Sequence, residues 1–264
     1  MDQQGIRINK YLSEAGICSR READRLLEEG KICIGDHIAT LGDRVLEGDT
    51  VYVDGKLVEH EQKRVLIAFN KPRGIICTTA KDQGKNIVDF INYPTRIYPI
   101  GRLDKDSNGL ILLTNDGDIV NKMMRSGNRH EKEYVVTVNR PITDAFVKKM
   151  SGGVKILDTV TRPCQVMKVS DYEFRIILTQ GLNRQIRRMC EACGYQVRTL
   201  KRVRIMNIEL GNLKEGTWRD VTEQEWKELQ KLIAHSSNTT VKLRETQSKM
   251  RQIRDQSREN DDRK

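Results

Sequence analysis

The stretch IGRLDKDSNGLILL, residues 100–113, constrains the fold more than any other part of the sequence. It ends in an aliphatic run, and the turn sequence Asn-Asp-Gly follows shortly after it. A short aliphatic run bounded by glycine and by a turn is typical of a buried strand. Asp104 then lies in the connection that enters this strand, a position where rigid scaffolds often hold reactive side chains. Taken alone, the stretch also allows Asp104 or Asp106 only to close a turn or to pair with Arg102 at the surface.

The overall charge of the chain indicates a polyanionic partner. The 264 residues include 47 Lys and Arg against 37 Asp and Glu, which gives a formal net charge of +10. We expect that partner to be nucleic acid rather than a membrane surface. Residues 1–62 hold 8 basic against 13 acidic side chains, so the positive surplus lies mainly in residues 63–234.

Several features predict a soluble, cytoplasmic protein. No stretch approaches the roughly 18 apolar residues that a membrane span needs, and the N-terminus has no apolar signal region. The six cysteines follow no disulfide framework and are typical of reduced cytosolic thiols. Cys190 and Cys193 have the spacing of half a zinc site or of a redox pair, but no second such pair accompanies them. They continue a helical pattern from Ile186, so we interpret them as core residues.

The pattern of the chain predicts two domains and a tail. Residues 1–62 predict two short helices followed by brief strands, and Ser19 with Glu22 has the spacing of a capping box at the second helix. Residues 63–234 mix strands irregularly with helices and include several hairpin-length links, which predicts an α+β domain on a mixed, largely antiparallel sheet. Residues 235–264 have almost no large apolar side chains, so we expect a disordered charged tail.

Basic residues concentrate in the helical half of the first domain. A helix pair with one basic face can dock on RNA phosphates, although composition alone equally allows a solvated helix surface. The sequence RINKYLSEAGICSRREADRLLEEGKICIGD, residues 7–36, closely resembles the S4 RNA-binding domain. That resemblance implies RNA binding. The side chains expected to contact RNA are Arg7, Lys10, Arg20, Arg21 and Arg25.

Three stretches of the larger domain place a reactive or charged residue against an apolar scaffold. They contain Asp104, Tyr134 in the alternating pattern EKEYVVTV, and the arginines of GLNRQIRRMCEACG. A helix over residues 183–193 would present three arginines on one face and pack apolar side chains with the other. We expect a guanidinium on that face to keep a partly buried carboxylate ionised, as a nucleophilic aspartate requires. The three arginines are Arg184, Arg187 and Arg188.

The motifs in these stretches resemble those of a known enzyme family. Lys71-Pro72-x-Gly74, Gly101-Arg102-Leu103-Asp104 and the run RQIRRM occur in the order found in RsuA-type pseudouridine synthases of ribosomal RNA. The resemblance extends from the S4 domain to about residue 230. It implies that a uridine is flipped out of folded RNA, that its N1–C1′ bond is broken and that the base is rejoined through C5. It also implies that no cofactor and no metal takes part.

The resemblance implies roles for individual residues. Asp104 would be the nucleophile or base that acts on the flipped uridine, and Arg187 would keep it ionised through a salt bridge. Tyr134 would stack on the target base and help to remove the C5 proton, while Arg102 would enter the gap that the base leaves. From the residues alone, Tyr134 could instead be a core aromatic and Arg187 a phosphate contact. Further side chains expected to contact RNA are Lys71, Lys105, Arg184 and Arg188.

The choice of RNA rests on overall likeness along residues 87–110 and 128–138, which favours 23S rRNA. The same chemistry on 16S rRNA or a tRNA remains open, as does a non-catalytic S4-type ribosome-assembly protein. The joint presence of Asp104, Tyr134 and Arg187 argues against a decayed enzyme. We expect a monomer that acts on a structured hairpin of 23S rRNA, without a membrane or small-molecule partner.

Overall fold

A helix pair and short strands form the N-terminal part of the computed structural model, which describes residues 5–59, 64–80, 84–234 and 236. The strands β3-β2-β5-β6 form one antiparallel sheet, and β1 pairs with β4. These elements are Ile6–Arg7 (β1), Ile8–Glu14 (α1), Arg20–Glu28 (α2), Ile32–Ile34 (β2), His37–Ile38 (β3), Arg44–Val45 (β4), Val51–Val53 (β5) and Lys56–Leu57 (β6).

The two N-terminal helices bury one apolar face each against these strands. Leu12 of α1 and Ala23 of α2 are fully buried and share a cluster with Ile32 and Val51. Helix α2 begins after Ser19, whose hydroxyl accepts the backbone N–H of Glu22 at 3.1 Å. The Ser19 half of the predicted capping box is therefore present, whereas the Glu22 side chain accepts from Arg25. The arginines of the helix pair are exposed.

The second part is built on one large sheet with helices packed against it. Its elements are Leu66–Lys71 (β7), Ile87–Ile91 (α3), Tyr98–Pro99 (β8), Asn108–Thr114 (β9), Gly117–Met124 (α4), Lys132–Val138 (β10), Asp144–Gly152 (α5), Lys155–Ile156 (β11), Thr159–Val160 (β12), Gln165–Lys168 (β13), Glu173–Leu178 (β14), Gln185–Ala192 (α6), Val197–Ile205 (β15), Ile208–Glu209 (β16), Trp218–Asp220 (β17) and Glu223–Ile233 (α7).

The strand order of this sheet is β13-β14-β10-β15-β9-β7-β17, with β8 beside β9 and β16 beside β15. All of these described pairs are antiparallel except β15 with β9. The α+β class with a mixed, largely antiparallel sheet is therefore confirmed. The aliphatic run predicted as a buried strand is β9, which lies between β15 and β7 inside the sheet, and residues 110–113 are fully buried.

The parallel junction of β9 and β15 positions the candidate site. Gly109 lies opposite Arg202 in this junction. An added Cβ at Gly109 would come within 2.3 Å of the Arg202 carbonyl oxygen, so only glycine permits the two strands to approach this closely. Apolar clusters flank the junction, one under α5 and α6 and another under α4 and α7.

Two further predictions concern the C-terminal tail and membrane spans. The predicted disordered tail, residues 235–264, lies outside the described residues apart from Ser236, whose hydroxyl is 2.9 Å from His130 Nε2. Among the described residues, no helix combines the length and the apolar character that crossing a membrane requires.

Candidate active site

A cavity of about 1020 Å³ opens beside the β9–β15 junction. The loop before β9, the start of α6 and strands β10 and β15 contribute its walls, and α4 contributes apolar side chains. Its volume lies at the upper end of the range found for small-molecule sites, so a single nucleobase fills only part of it. The lining includes Asp104, Lys132, Tyr134, Arg184, Arg187 and Arg202.

Asp104 projects from a loop that is anchored on both sides. Leu103 is buried, and its backbone N–H donates to Cys77 Sγ at 3.4 Å. Ser107 is also buried, and its N–H donates to the Asp104 carbonyl at 3.1 Å. The Asp104 carboxylate itself is 34% exposed and faces the cavity. The loop therefore holds an acidic side chain at a defined position, as the sequence predicted.

Among the described residues, the cation paired with Asp104 is Arg184, whose Nη1 lies 3.7 Å from Asp104 Oδ2. The same Nη1 is 3.1 Å from Asp106 Oδ1, so Arg184 contacts both acids. Arg184 has a left-handed backbone, with φ of 50°, and precedes α6 instead of lying within it. The helix predicted over residues 183–193 is therefore shorter, and this bend directs Arg184 towards the loop.

Arg187 contacts the same loop at a different point. Its Nη2 donates to the Asp106 carbonyl at 3.2 Å and to Ser107 Oγ at 3.3 Å, and it lies 3.4 Å from Asp106 Oδ2. The predicted salt bridge between Arg187 and Asp104 is therefore wrong for this structure, in which Arg184 has that position. The physical reason is that Nη2 of Arg187 is bonded to Asp106 and Ser107, while the left-handed backbone at Arg184 brings that guanidinium to Asp104.

Asp106 completes this ionic cluster. Burial disfavours its charged form, but the hydrogen bond from Arg184 and the charge of Arg187 outweigh burial, so the pKa of Asp106 is lowered. Burial also lowers the pKa of the mostly buried Arg187, while the charge of Asp106 opposes that change. The cluster therefore keeps Asp106 ionised beside Asp104, and Asp106 is not among the residues that line the cavity.

Tyr134 lies on β10 with its ring half-buried between the core and the cavity. Its cross-strand partners are Ile176 on β14 and Arg202 on β15. The Arg202 guanidinium carbon is 5.9 Å from the centroid of the ring, which is a cation–π distance. The ring packs at the edge of two apolar clusters and also lines the cavity. It can therefore offer one face to a stacked base.

Two residues of the predicted RNA-contact set have structural contacts instead. Lys71 is 0% exposed, and its Nζ donates to the carbonyls of Pro72 at 2.8 Å and Ser107 at 2.9 Å. The prediction that Lys71 contacts RNA is therefore wrong, because its ammonium ties the end of β7 to the Asp104 loop. Lys10 is also reassigned: its Nζ is 2.9 Å from Asp118 Oδ2 and connects α1 with α4.

The remaining predicted RNA contacts are on the surface. Arg102 and Lys105 are exposed and line the cavity rim. Arg188 is not among the cavity-lining residues, and its guanidinium bonds back to Asn183 at 3.1 and 3.3 Å. The exposed arginines of the N-terminal helices and the chain before them are Arg7, Arg20, Arg21 and Arg25.

Sequence reasoning missed two cavity residues, Lys132 and Arg202. The period-2 pattern of EKEYVVTV could have indicated Lys132, because it is two positions before Tyr134 on the same strand face. Nothing local marks Arg202, which reaches the site only through the pairing of β15 with β9 and β10.

Comparison with known proteins identifies the family. Residues 65–192 match the family model for RNA pseudouridylate synthase, and residues 6–51 match the S4 domain. The dual-specificity RNA pseudouridine synthase RluF of Escherichia coli K12 is 55% identical over 240 residues, which cover 90% of this chain and 83% of the relative. The chain belongs to the RNA pseudouridine synthase family.

Further comparisons agree with this assignment. Ribosomal large subunit pseudouridine synthase B of Bacillus subtilis is 37% identical over 88% of this chain and 98% of its own length. A crystal structure of a pseudouridylate synthase superposes with a TM-score of 0.63 at 27% identity and covers 85% of this chain and 99% of its own. This pseudouridine synthase is thus an isomerase that acts on RNA and has an N-terminal S4 domain, so a non-catalytic assembly protein is not the better description.

Proposed function

We propose that this pseudouridine synthase isomerises a uridine in 23S rRNA and a second uridine in a tRNA. The large-subunit substrate is supported by sequence likeness and by the name of the Bacillus subtilis relative. The second substrate extends the initial expectation, because relatives at 55–57% identity are named as dual-specificity enzymes. Both RNAs are cytoplasmic in bacteria, so we infer a cytoplasmic location. We place the S4 domain at residues 1–62 and the catalytic domain at residues 63–234.

The observation that carries the catalytic proposal is the position of Asp104 in the cavity. A base inside a helix cannot reach this carboxylate, so the target uridine must be flipped out, at a cost of about a few kcal/mol. Stacking on Tyr134 and phosphate contacts with exposed cations offset that cost. Arg102, which is exposed and lines the cavity, would enter the gap in the RNA helix.

The chemistry assigned to Asp104 is nucleophilic or general-base assistance while the N1–C1′ bond breaks. Arg184, whose Nη1 lies 3.7 Å from Asp104 Oδ2, is the cation beside this carboxylate. Tyr134 holds the base parallel to its ring while C5 turns towards C1′, and it helps to remove the C5 proton. Arg187 has an indirect role here, because it fixes the loop through Asp106 and Ser107.

The test is the variant Asp104→Asn, which keeps the size of the side chain and removes its charge. RNA binding should remain, whereas pseudouridine in 23S rRNA and tRNA, read by carbodiimide-blocked primer extension, should disappear. Asp158→Asn is the matched control, because Asp158 is exposed in the turn between β11 and β12. Near wild-type activity of Asp104→Asn would refute the catalytic assignment. A strain that lacks the protein and keeps every pseudouridine in one of the two RNAs would refute that substrate.

A further inference from the structure

Two cations lie on the cavity floor beside Tyr134. Lys132 and Tyr134 are two residues apart on β10, so their side chains project from the same face of the sheet. Arg202 is the cross-strand partner of Tyr134 on β15, and its guanidinium carbon lies 5.9 Å from the centroid of the Tyr134 ring. All three residues line the cavity. The surface on which the flipped base would stack is therefore bordered by two positive charges.

Both cations are held in place by backbone contacts. Arg202 is 2% exposed, and its Nε donates to the Leu110 carbonyl at 2.7 Å. Lys132 is partly buried, and its Nζ lies 3.3 Å from the His130 carbonyl. These contacts occupy only part of the donor capacity of the two side chains. Arg202 Nη2 is buried and has no hydrogen-bond partner among the described residues.

The positive charge of this pair is not compensated by the described part of the protein. No carboxylate oxygen of a described residue lies within 4.0 Å of Lys132 or Arg202. Glu133, the acid next to Lys132 in sequence, points to the other side and pairs with Arg175 at 2.8 Å and Arg204 at 2.9 Å. Buried cations without counter-charges are costly, so an electron-rich group that enters the cavity would relieve that cost.

The proposed reaction supplies such a group. When the N1–C1′ bond breaks, its electron pair remains with the uracil, and the negative charge is shared by N1, O2 and O4. The Asp104 carboxylate compensates the electron-deficient C1′. The C5 atom then forms the new bond to C1′, the C5 proton is lost, and N1 takes up a proton. The base is therefore anionic only between the two bond changes.

We propose that Lys132 donates a hydrogen bond to a carbonyl oxygen of the flipped uracil and, together with Arg202, stabilises the negative charge on the detached base. This inference rests on the proposed function and assigns a further catalytic residue within the same cavity. Lys and Arg side chains are donors only, so the pair fits a carbonyl oxygen and disfavours the amino group that cytosine has at C4. Donors aimed at a developing oxyanion are a large source of rate enhancement in a cavity that excludes water.

The titration of Lys132 offers an independent signature. Burial, together with the charge of Arg202, lowers the pKa of Lys132 to about 8. Of the titratable groups near it, burial also lowers the pKa of His130, and Glu131 and Glu133 are paired with Arg204. Lys132 is charged below its pKa, so kcat/KM for RNA should be full below about pH 8 and fall above it, since this ratio reports the free enzyme.

The experiment compares Lys132→Met, Lys132→Arg and the wild type at full length on the 23S rRNA hairpin. With enzyme in saturating excess, Lys132→Met should lower the single-turnover rate constant roughly 100-fold or more, while the Kd for RNA stays near the wild-type value. Lys132→Arg should restore most of the rate and move the alkaline decline to higher pH. Lys148→Met is the matched control, because Lys148 is an exposed lysine on α5 outside the cavity lining. Thermal unfolding of each variant monitors folding.

Three outcomes would overturn the inference. An unchanged single-turnover rate of folded Lys132→Met would show that the ammonium does not act on the base. A weaker Kd with a shallower salt dependence and an unchanged saturated rate would identify Lys132 as a phosphate contact instead. A Lys132→Arg variant as slow as Lys132→Met would show that charge is not what the position supplies. In each of these outcomes, the proposed function would still stand as long as the wild-type enzyme forms pseudouridine.

Discussion

Arg184 and Arg187 are three positions apart, but they make different contacts with the loop that carries Asp104. Arg184 lies 3.7 Å from the Asp104 carboxylate, and its side chain is 42% exposed. Arg187 is 13% exposed and donates to the Asp106 carbonyl and the Ser107 hydroxyl. At the residue scale, one arginine therefore faces the acid and the other supports the backbone that positions it.

Exchanging each arginine for glutamine separates these roles. Arg184→Gln should lower the single-turnover rate about 10-fold or more, because the cation beside Asp104 is lost, while the free energy of unfolding changes little. Arg187→Gln should lower the free energy of unfolding by about 1–3 kcal/mol, because buried acceptors of the loop lose their donor. Urea unfolding and single-turnover kinetics measure the two effects. A slow but fully stable Arg187→Gln variant, with Arg184→Gln active, would restore Arg187 as the partner of Asp104.

At the scale of elements, the close approach of β9 to β15 connects the loop that carries Asp104 with the cavity floor. Asp104 precedes β9, Arg202 lies on β15, and Tyr134 lies on the next strand, β10. The contact depends on Gly109, whose φ is +102° and whose missing Cβ leaves room for the Arg202 backbone. A change at this glycine should therefore affect both stability and the alignment of the site.

Gly109→Ala is expected to lower the free energy of unfolding by at least about 2 kcal/mol, since backbone atoms cannot move aside as a flexible side chain can. Activity should fall in the protein that remains folded, because the two strands separate. Gly152→Ala is the control: no atom lies within 4 Å of its added Cβ, and it is the last residue of α5. Chemical unfolding of both variants checks this prediction, which equal stability of the two would contradict.

At the scale of the whole molecule, the S4 domain docks beside the helix that lines the cavity. Lys10 of α1 pairs with Asp118 of α4, and Arg96 donates to the Cys18 carbonyl. Other residues of α4, including Met123 and Met124, line the cavity. RNA held by the exposed arginines of the S4 helices would therefore lie near the cavity. Because these arginines do not line the cavity, we expect mutations to separate RNA binding from catalysis.

The double variant Arg20→Gln/Arg21→Gln should bind RNA more weakly and show a salt dependence shallower by roughly one unit of slope per lost phosphate contact. Its rate at saturating enzyme should match the wild type, because neither residue lines the cavity. Lys148→Gln/Lys155→Gln removes the same charge from exposed positions of the catalytic domain and serves as control. Filter binding over a range of salt concentrations measures the slopes. Identical slopes for the two double variants would contradict an RNA-binding role for this pair.

Local pattern was sufficient to predict several parts of the protein. The aliphatic run of β9, the loop position of Asp104 and the helix pair with its Ser19 cap all follow from short-range spacing. Helix α7 likewise begins with a capping box, in which Thr222 and Glu225, three positions apart, make both hydrogen bonds. These features depend on contacts between residues a few positions apart, which the order of side chains specifies directly.

The tertiary structure alone decided which charged side chains reach the site. Helical spacing grouped Arg184 with Arg187 on one face, but the left-handed backbone at Arg184 determined which of them approaches Asp104. The motif lysine Lys71 was buried by strand pairing, and the sheet brought Arg202 to Tyr134. Sequence by itself determined most of the elements and the loop position of Asp104. The partners of that acid depended on register between distant strands, because side-chain period specifies a face of the sheet and not the neighbour across it.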